Sequence, residues 1–421
     1  MHILFLSDNF PPEVNAPASR TFEHCREWVK AGHQVTVITC APNFPKGCVF
    51  AGYKNKLWQR EEMDGIRVIR VWSYITANEG FLRRTIDYVS YMVSAILAAP
   101  FVRKADLVIG TSPQFFTACA AYTVSTCKCI PFVFEIRDLW PDSIKAVGAM
   151  KDGFLLRCLE WLERFLYRKA DRIITVTNSF KNNLIIRGID SSKIEVITNG
   201  VDTTRFQPCE KDPGLVARLG LEGKFVAGYI GTHGMAHALG ILLEVAKKLQ
   251  QRSETGFIHF LFLGDGAKKK ELMNRAEDLH LRNVVFVDSV PKDEVVRYWS
   301  LLDVSIIHLR KTDLFTTVIP SKLFECMGMG VPVLHGVSGE SAAIVKRENI
   351  GIIFKPENTD QLCNALNELA HNGQLYKELR LNCLGGAKKY DRRMLAQRML
   401  AILDDTAQRT KHGVRMAQAD K

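Results

Sequence analysis

The stretch PSKLFECMGMGVPVL, Pro320 to Leu334, places a lysine and a glutamate among small and apolar residues. Pro320 near the first turn and Ser321 as a capping hydroxyl predict that a helix begins here, with Lys322 in its first turn and Glu325 one turn further along. A lysine at a helix start can bind an anion, and a carboxylate can accept two hydrogen bonds from a vicinal diol such as a ribose. The pattern favours metal-free nucleotide recognition over a glutamate on a solvated face, because the neighbours of Glu325 are mostly apolar.

A second group of candidate residues lies in GTHGMAH, Gly231 to His237. Its glycine-rich turn is predicted to open a helix, whose free N–H groups and positive dipole end can hold a phosphate. His233 and His237 have the spacing of one helical face, so both could reach the same ligand. The alternatives are a plain strand-to-helix turn and packed or solvated histidines. GDG, Gly264 to Gly266, is a similarly weak signal in isolation. The absence of a Walker sequence and of GxGxxG argues against a P-loop ATPase and, less strongly, against a dinucleotide dehydrogenase.

These motifs follow short apolar runs that predict buried strands. In the first half the candidate strands are HILFLS, QVTVIT, IRVIRVW, DLVIGT, PFVFEI, RIITVT and IEVIT, and helical patterns begin near Ser19, Gln114, Gly153 and Ser179. After the turn-rich stretch NGVDTTRFQPCEKDPG (199–214), which predicts a domain boundary, the pattern restarts with FVAGYIG, IHFLFLG, NVVFVD, DVSIIHL and VPVLHG. Apolar strands spaced by helices predict two doubly wound α/β domains with parallel sheets, whose ligands sit beyond the carboxyl ends of the strands.

Composition narrows the choice of partner. The chain has 421 residues, a formal charge of +11 and a pI near 9.1, which favours a nucleic acid, an acidic membrane surface or a phosphorylated substrate. Its 11 cysteines are scattered, with Cys127 and Cys129 as the one close pair, so reduced thiols and no metal or other cofactor are expected. The N-terminal run lacks a basic n-region, which predicts a cytosolic chain.

In their order and spacing, several motifs resemble those of the retaining glycosyltransferases of family 4 (GT4), which have the two-domain GT-B fold and use nucleotide sugars. The resemblance covers nearly the whole chain and is carried by FPPEVNAPASR, GHQVTVIT, RDLWPDS, IEVITNGVDTTRF, GTHGMAHAL, LFLGDGAKKKEL, VVFVDSVPKDEV, DVSIIHL and IPSKLFECMGMGVPVL. It implies two Rossmann-like domains facing a cleft. Residues 1–202 would form an acceptor-side domain, residues 203–388 a nucleotide-sugar domain, and residues 389–421 a helix returning to the first domain with a polar tail.

The resemblance also implies a donor site. Family members carry two glutamates separated by seven residues; Glu325 stands at the second position and would hold the ribose, whereas Thr317 replaces the first. His233 and His237 stand where many members have an arginine and a lysine, and with Lys322 they would neutralise the diphosphate. The implied catalytic residues are Arg137, Asp138, His233 and Lys322. The implied donor-binding residues are Asn15, Ala16, Thr232, Gly234, His237, Gly264, Asp265, Val287, Val290, Thr316, Thr317, Pro320, Ser321 and Glu325.

In the first domain, FEIRDLWPDSI resembles a motif of bacterial transferases that build surface polysaccharides. Asp138 would orient the acceptor hydroxyl and Arg137 a phosphate; the alternative is a structural pair that braces the loop. Two basic, apolar segments, residues 81–104 and 153–172, are too short and too interrupted for a membrane span and suggest attachment to an anionic membrane surface. Ordinary core helices with snorkelling basic ends are the alternative.

The sequence therefore predicts a metal-independent retaining glycosyltransferase at the inner face of the cell membrane. It would move a sugar from a UDP-sugar to a polyprenyl-diphosphate-linked saccharide, with the nearest resemblance to N-acetyl-fucosaminyl transferases of O-antigen or capsule assembly. One rival is a nucleotide-sugar 2-epimerase of GT-B fold. Another is a noncatalytic protein that binds anionic surfaces, although the chain lacks the basic stripe interleaved with aromatic residues that nucleic-acid binding needs.

Overall fold

The computed structural model describes residues 1–44, 46–76, 81–140, 153–291 and 293–419. The chain forms two units: unit 1 comprises Met1–Thr198 and the C-terminal segment from Arg393, and unit 2 comprises Asn199–Arg392. Residues 199–202 and 389–392 thus belong to unit 2. The reason is a local pairing, because Val201 N donates to Tyr390 O at 3.0 Å and Arg392 N donates to Val201 O at 2.9 Å.

Unit 1 is built on an eight-stranded sheet of order β3-β4-β2-β1-β5-β6-β7-β8. Its strands are β1 (His2–Leu6), β2 (Gln34–Cys40), β3 (Trp58–Met63), β4 (Ile66–Val71), β5 (Leu107–Thr111), β6 (Phe132–Ile136), β7 (Arg172–Thr175) and β8 (Ile194–Val196). The central strands are buried along their whole length, as expected for a parallel sheet covered on both faces. Two hydrophobic clusters, one on each face, form the core.

The helices of unit 1 cover both faces of this sheet. They are α1 (Ala16–Lys30), α2 (Phe81–Ala98), α3 (Phe115–Lys128), α4 (Phe154–Lys169), α5 (Asn178–Ile186) and, after unit 2, a C-terminal helix (Arg392–Ala419). The sequence patterns near Ser19, Gln114, Gly153 and Ser179 therefore marked real helices. The C-terminal helix completes the core: Leu395, Met399 and Leu403 are buried beside Trp28, whose Nε1 donates to Ala396 O at 2.9 Å.

Unit 2 contains a six-stranded parallel sheet of order β11-β10-β9-β12-β13-β14. Its strands are β9 (Phe225–Ile230), β10 (Ile258–Leu263), β11 (Val284–Val287), β12 (Val304–His308), β13 (Val333–Gly336) and β14 (Gly351–Ile353). Its helices are α6 (Pro213–Leu219), α7 (Gly240–Gln250), α8 (Lys269–Asp278), α9 (Val295–Trp299), α10 (Lys322–Met329), α11 (Glu340–Glu348), α12 (Thr359–His371) and α13 (Gly373–Lys389). The predicted donor-site residues of unit 2 lie at or after the carboxyl ends of these strands.

The first sheet is parallel as predicted, except at one edge that the sequence analysis missed. There β3 pairs with β4 in antiparallel fashion, from Trp58 opposite Val71 to Met63 opposite Ile66. This strand, WQREEM, is mostly polar and partly exposed, so it lacks the apolar run that identified the others. Antiparallel edge strands of this kind are common on otherwise parallel sheets.

Candidate functional site

Helix α10 directs two ionisable side chains to one surface. Its other residues, from Leu323 to Met329, are buried, whereas Lys322 and Glu325 are partly exposed. Because the two positions are three apart in an α-helix, their side chains share a face. The prediction that this helix is mostly buried is confirmed.

The start of α10 differs from the prediction in one respect. Ser321 occupies the N-cap position, but its backbone is helical (φ −59°, ψ −31°) and its hydroxyl makes no capping hydrogen bond. The predicted capping role of Ser321 is therefore wrong. The backbone takes over, since Leu323 N donates to Pro320 O at 3.0 Å, which tightens the first turn.

Two glycine loops of unit 2 approach each other too closely for side chains. Gly264 has φ +144°, and a Cβ built on it would lie 2.0 Å from the carbonyl oxygen of Gly231. Gly231 N donates to Leu263 O at 2.9 Å, and His233 N donates to Asp265 O at 2.8 Å, so the loops after β9 and β10 form one layer. A Cβ on Gly231 would lie 2.9 Å from Lys322 Nζ, so the absence of this side chain makes room for the lysine.

The ammonium group of Lys322 lies at the centre of this layer. Its Nζ is buried, has no hydrogen-bond partner among the described residues, and stands 3.7 Å from the centroid of the Tyr229 ring. Burial lowers the pKa of Lys322 to about 8, so the group is mostly charged at neutral pH. A charged donor with no acceptor, held over an aromatic face, is poised to bind an anion.

The side chain of His233 is fully buried beside Tyr229, with ring centroids 5.9 Å apart. Neither of its ring nitrogens has a hydrogen-bond partner among the described residues. Burial first, and the charges of Lys269 and Lys322 second, lower its pKa to about 4. At neutral pH His233 is therefore an uncharged imidazole, and the positive charge of the cluster is carried by Lys322.

His237 occupies a different local structure from the one predicted. A 3₁₀ turn spans Met235–His237, and α7 begins only at Gly240, so Gly231 does not open the helix and the two histidines do not share an α-helical face. They are nevertheless near neighbours, because both rings lie within 6 Å of the Tyr229 ring. Burial, followed by the charge of Lys322, lowers the pKa of His237 to about 4.

Sequence reasoning missed two residues that hold these loops. Tyr229, a strand residue, places its ring under Lys322 and donates its hydroxyl hydrogen to Thr232 O at 2.9 Å. Lys269 donates to Gly264 O at 2.9 Å and to Asp288 Oδ1 at 2.5 Å, so it ties the loop after β10 to the loop after β11. The run KKK in GDGAKKKEL was visible, but nothing in it distinguished the buried Lys269 from the more accessible Lys268 and Lys270.

The remaining predicted donor-binding residues of unit 2 occupy the same carboxyl edge of the sheet. Thr316 and Thr317 end a 3₁₀ turn (Asp313–Thr317), and a Cβ on Gly339 would lie 2.0 Å from Thr316 O, so this turn is closely packed. Val287 and Val290 pack on the apolar core beneath the edge. Thr232 and Asp265 are exposed, and Gly234 precedes the 3₁₀ turn of His237.

In unit 1, Asn15 begins α1. Its Oδ1 accepts a hydrogen bond from Ala18 N at 2.8 Å, and its Nδ2 donates to Asn9 Oδ1 at 2.6 Å. Ala16 is the exposed first residue of the helix. The observed contacts of the Asn15 carboxamide are thus those of a helix cap, a role the sequence analysis did not assign to it.

Arg137 and Asp138 follow β6, and the backbone N–H groups of both donate to the Ser112 hydroxyl, at 2.7 and 3.2 Å. Arg137 also donates from its guanidinium to Pro17 O at 3.1 Å. This contact supports the alternative in which the arginine braces the loop against α1. The last part of the RDLWPDS motif, residues 141–143, lies outside the described residues.

Helix α4 carries apolar and basic side chains on its exposed side. Phe154, Leu155 and Trp161 are 85%, 56% and 67% exposed. The exposed basic residues of the helix are Arg157, Arg164, Arg168 and Lys169. No helix in the described part of the chain combines the length and apolar character needed to cross a membrane.

Two family models match the chain. Residues 18–205 match Glycosyltransferase Family 4, and residues 224–372 match Glycosyl transferases group 1. Among curated proteins, the chain is 26% identical over 339 residues to a colanic acid biosynthesis glycosyl transferase, WcaI of Escherichia coli K12. That match covers 78% of this chain and 82% of the relative.

Solved structures show the same fold. HepE of Anabaena, in complex with UDP and glucose, matches with a TM-score of 0.71 at 16% identity over 96% of this chain and 100% of that one. WaaG, a glycosyltransferase involved in lipopolysaccharide biosynthesis, matches with a TM-score of 0.68 at 15% identity over 95% and 99% of the two chains. The predicted α/β fold of GT-B type is confirmed.

Proposed function

Since this chain is a family 4 glycosyltransferase of GT-B fold, we propose that it transfers a sugar from a UDP-sugar to a polyprenyl-diphosphate-linked saccharide in the synthesis of a bacterial surface polysaccharide. The proposed binding of a nucleotide sugar rests on the buried ammonium of Lys322. This group lacks an acceptor among the described residues and faces glycine loops that leave room for a ligand. A nucleoside diphosphate supplies the missing acceptors as phosphate oxygens.

The choice of UDP rests on two supports. Glu325 lies on the same face of α10 as Lys322, so one ligand can present a diphosphate to the lysine and ribose hydroxyls to the glutamate. HepE of Anabaena, which has the same fold, was solved with UDP. In this arrangement His233 contributes an uncharged N–H donor to the diphosphate, and Lys322 contributes the positive charge.

The proposed reaction retains the configuration of the transferred sugar. The acceptor hydroxyl oxygen bonds to the anomeric carbon on the face from which UDP departs, and the bond to the diphosphate breaks with its electron pair going to UDP. A phosphate oxygen of UDP takes the hydroxyl proton, so no protein nucleophile is needed. Lys322 and His233 stabilise the negative charge that develops on the departing diphosphate.

The proposed attachment to the membrane surface rests on helix α4. Its exposed Phe154, Leu155 and Trp161 could enter the headgroup region while Arg157 and Arg164 meet anionic lipids, each basic residue contributing on the order of 1 kcal/mol. The relatives named for colanic acid and lipopolysaccharide biosynthesis support an acceptor of the cell envelope. We place the enzyme peripherally on the inner face of the cell membrane.

A donor and acceptor screen tests the proposal. Purified protein is incubated with a panel of UDP-sugars and membrane lipid acceptors, and the products are identified by mass and by the anomeric configuration of the new linkage. UDP-N-acetyl-L-fucosamine is the first donor to assay, because of the resemblance carried by RDLWPDS. We expect transfer with retention by the wild type, and about ten- to a hundredfold slower transfer by Glu325→Gln at donor concentrations well below the wild-type KM.

The same screen includes UDP-sugars without acceptor. Conversion of the donor to an epimer would favour the nucleotide-sugar 2-epimerase over the transferase. UDP binding without transfer to any membrane lipid would favour a noncatalytic role.

A further inference from the structure

The turn that carries His237 is fastened by two contacts from the end of strand β12. The imidazole of His308, the last residue of that strand, contacts His237 O through Nδ1 at 2.8 Å. The backbone N–H of Arg310 donates to Ala236 O at 2.8 Å. These contacts hold the carbonyl groups of consecutive residues in the 3₁₀ turn Met235–His237, so a shift of this turn would break at least one of them.

The other ring nitrogen of His308 holds a second loop. Its Nε2 accepts a hydrogen bond from Glu357 N at 2.9 Å, in the loop between β14 and α12. A backbone N–H only donates and a carbonyl oxygen only accepts, so the two partners fix the tautomer of the ring. The proton lies on Nδ1, which donates to His237 O. The imidazole is therefore a bridge between two loops.

Both bridged loops contain a residue in the left-handed region. Ala238, next to His237, has φ +46°, and Glu357 has φ +65°. In each case His308 contacts the peptide group that precedes the left-handed residue, through His237 O in the first loop and Glu357 N in the second. Residues other than glycine keep this conformation only where the surrounding contacts enforce it. The imidazole supplies such a contact at both positions.

The surroundings of His308 hold an uncharged ring in one orientation. The side chain is 1% exposed and lies nearly parallel to the Phe354 ring, with centroids 6.0 Å apart. A Cβ on Gly336 would lie 2.7 Å from His308 Cδ2, so a larger residue there would displace the imidazole. Burial lowers the pKa of His308 below its ordinary value of 6.5, against the opposing effects of the His237 backbone and the Glu357 charge. The neutral ring is the form that both backbone contacts require.

The turn held in this way borders the proposed anion site. The His237 ring lies 5.7 Å from the Tyr229 ring, which lies under Lys322 Nζ at 3.7 Å. A shift of the turn would therefore displace His237 relative to the ammonium group. Because His308 is almost fully buried, it can act on a ligand only through the turn that it holds.

We propose that His308 is a positioning residue for donor binding, whose buried imidazole fixes the turn of His237 at the edge of the Lys322 site. This inference rests on the proposed function, which assigns that site to the diphosphate of the donor. His308 is not a catalytic residue, because the backbone of the turn separates it from the ligand. The sequence analysis placed it at the end of the strand DVSIIHL and gave it no role.

Nitrogen-15 NMR of the histidine rings in the full chain tests the bridge without any change to the wild type. The resonances of His308 are assigned by their loss in His308→Gln. We expect a neutral ring protonated on Nδ1 at neutral pH. A ring protonated on Nε2, or on both nitrogens, would overturn the proposal, because the contact with Glu357 N could not then form.

His308→Leu removes both contacts of the bridge. We expect UDP binding to weaken about two- to tenfold, the loss that accompanies one misplaced hydrogen bond, as calorimetric titration would measure. The ring resonances of His237 should shift in the same variant. His308→Gln keeps one donor and one acceptor, so it should recover part of the lost affinity. If thermal melting shows that His308→Leu does not fold, His308→Gln and the wild-type spectrum decide the test.

His335→Leu is the matched control. His335 is a fully buried histidine on the adjacent strand β13, and its Nε2 contacts Ser341 Oγ at 2.8 Å, outside the turn of His237. The control should lower the melting temperature, as His308→Leu does, but keep the wild-type UDP affinity and His237 resonances.

Two results with the variants would overturn the proposal. One is a set of His237 resonances in His308→Leu that match the wild type, and the other is an equal loss of UDP affinity in His308→Leu and His335→Leu. The second result would mean that general destabilisation accounts for the loss. A wild type that binds no UDP would refute the donor assignment instead, and the His237 resonances would still decide whether His308 positions the turn.

Discussion

The parallel strands of the two sheets are wound in a similar order, but the loops at their carboxyl edges carry different kinds of side chain. In unit 2, glycine loops surround an ammonium group that has no acceptor among the described residues. In unit 1, Asp8, Glu13 and Asp87 line a small cavity at the corresponding edge. Parallel strands fix where a ligand can bind, and the residues of the loops decide its charge. A cationic edge suits a diphosphate, whereas at the edge of unit 1 burial raises the pKa of each of the three carboxyls.

Gly264→Ala, in the loop after β10 of unit 2, should have the largest effect on stability. Its new methyl group would lie 2.0 Å from Gly231 O at a backbone φ of +144°, so we expect a loss of about 2 to 4 kcal/mol in the free energy of unfolding. Gly220→Ala is the control, because Gly220 has φ +65° and no atom within 4 Å of the added Cβ. Its cost should be about 1 kcal/mol. Urea unfolding measures both, and equal losses would show that the loop contact is not tight.

Glu325→Gln tests the ribose contact. Replacing an anionic acceptor by an amide should cost roughly 1.5 to 3 kcal/mol, or about ten- to a hundredfold in UDP affinity, while folding changes little because the side chain is partly exposed. Isothermal titration calorimetry measures the change. Wild-type UDP affinity in a folded variant would refute the assignment of Glu325.

Lys322→Met should stabilise the folded chain at neutral pH and weaken UDP binding. Folding lowers the pKa of Lys322 to about 8, so the cost of burying the ammonium is present below pH 8 and disappears above its ordinary value of 10.5. The variant should therefore be more stable than the wild type by about 1 kcal/mol at pH 7, with a smaller difference at pH 10, and bind UDP more weakly. Thermal melts at the two pH values decide this, and a destabilised variant at pH 7 would contradict it.

Asp8→Asn tests how the buried carboxyl of Asp8 in unit 1 changes stability with pH. Because the folded chain raises the pKa of Asp8 from 3.8 to about 8, the wild type loses stability as the pH rises through this window. The variant has no such group, so its advantage in the free energy of unfolding should grow between pH 5 and pH 8, by at most about 1.4 kcal/mol per pH unit, as urea unfolding at several pH values would measure. The exposed Asp278→Asn serves as control and should show no such trend.

Arg164→Gln should have the smallest effect, a slight weakening of vesicle binding, and should leave the carboxyl edges of both sheets unchanged. Removing one exposed charge from α4 should weaken binding to anionic vesicles by about 1 kcal/mol or less, and added salt should reduce the difference. Vesicle sedimentation measures it, with the exposed Arg282→Gln of unit 2 as control. Equal retention of Arg164→Gln and the wild type at low salt would remove α4 from the proposed membrane face.

Local sequence patterns predicted much of the fold and only part of the site. Most strands of both sheets were visible because they are mainly apolar runs, and β3 was missed because WQREEM is mostly polar and lies at an edge. The shared face of Lys322 and Glu325 follows from their spacing alone. The position of Tyr229 under Lys322 depends on contacts between distant segments, which no local pattern encodes.

The residues that line the cavity of unit 1 were likewise not predictable from local sequence patterns. Glu13 follows β1 and Gln114 follows β5, and the two meet because these strands are neighbours in the sheet. The sequence singled out Asn15 from the same loop, whose carboxamide caps α1. Small polar residues in a loop can cap, brace or bind, and only the folded contacts separate these roles.

The C-terminal helix that completes unit 1 also bears on how the chain is made. Unit 2 is a continuous segment, so all of its residues emerge from the ribosome before the last part of unit 1. Until Leu395, Met399 and Leu403 arrive, the core around Trp28 lacks one of its walls. Unit 2 can therefore fold while unit 1 is still incomplete, and unit 1 finishes its core after unit 2 although most of its residues precede unit 2 in the chain.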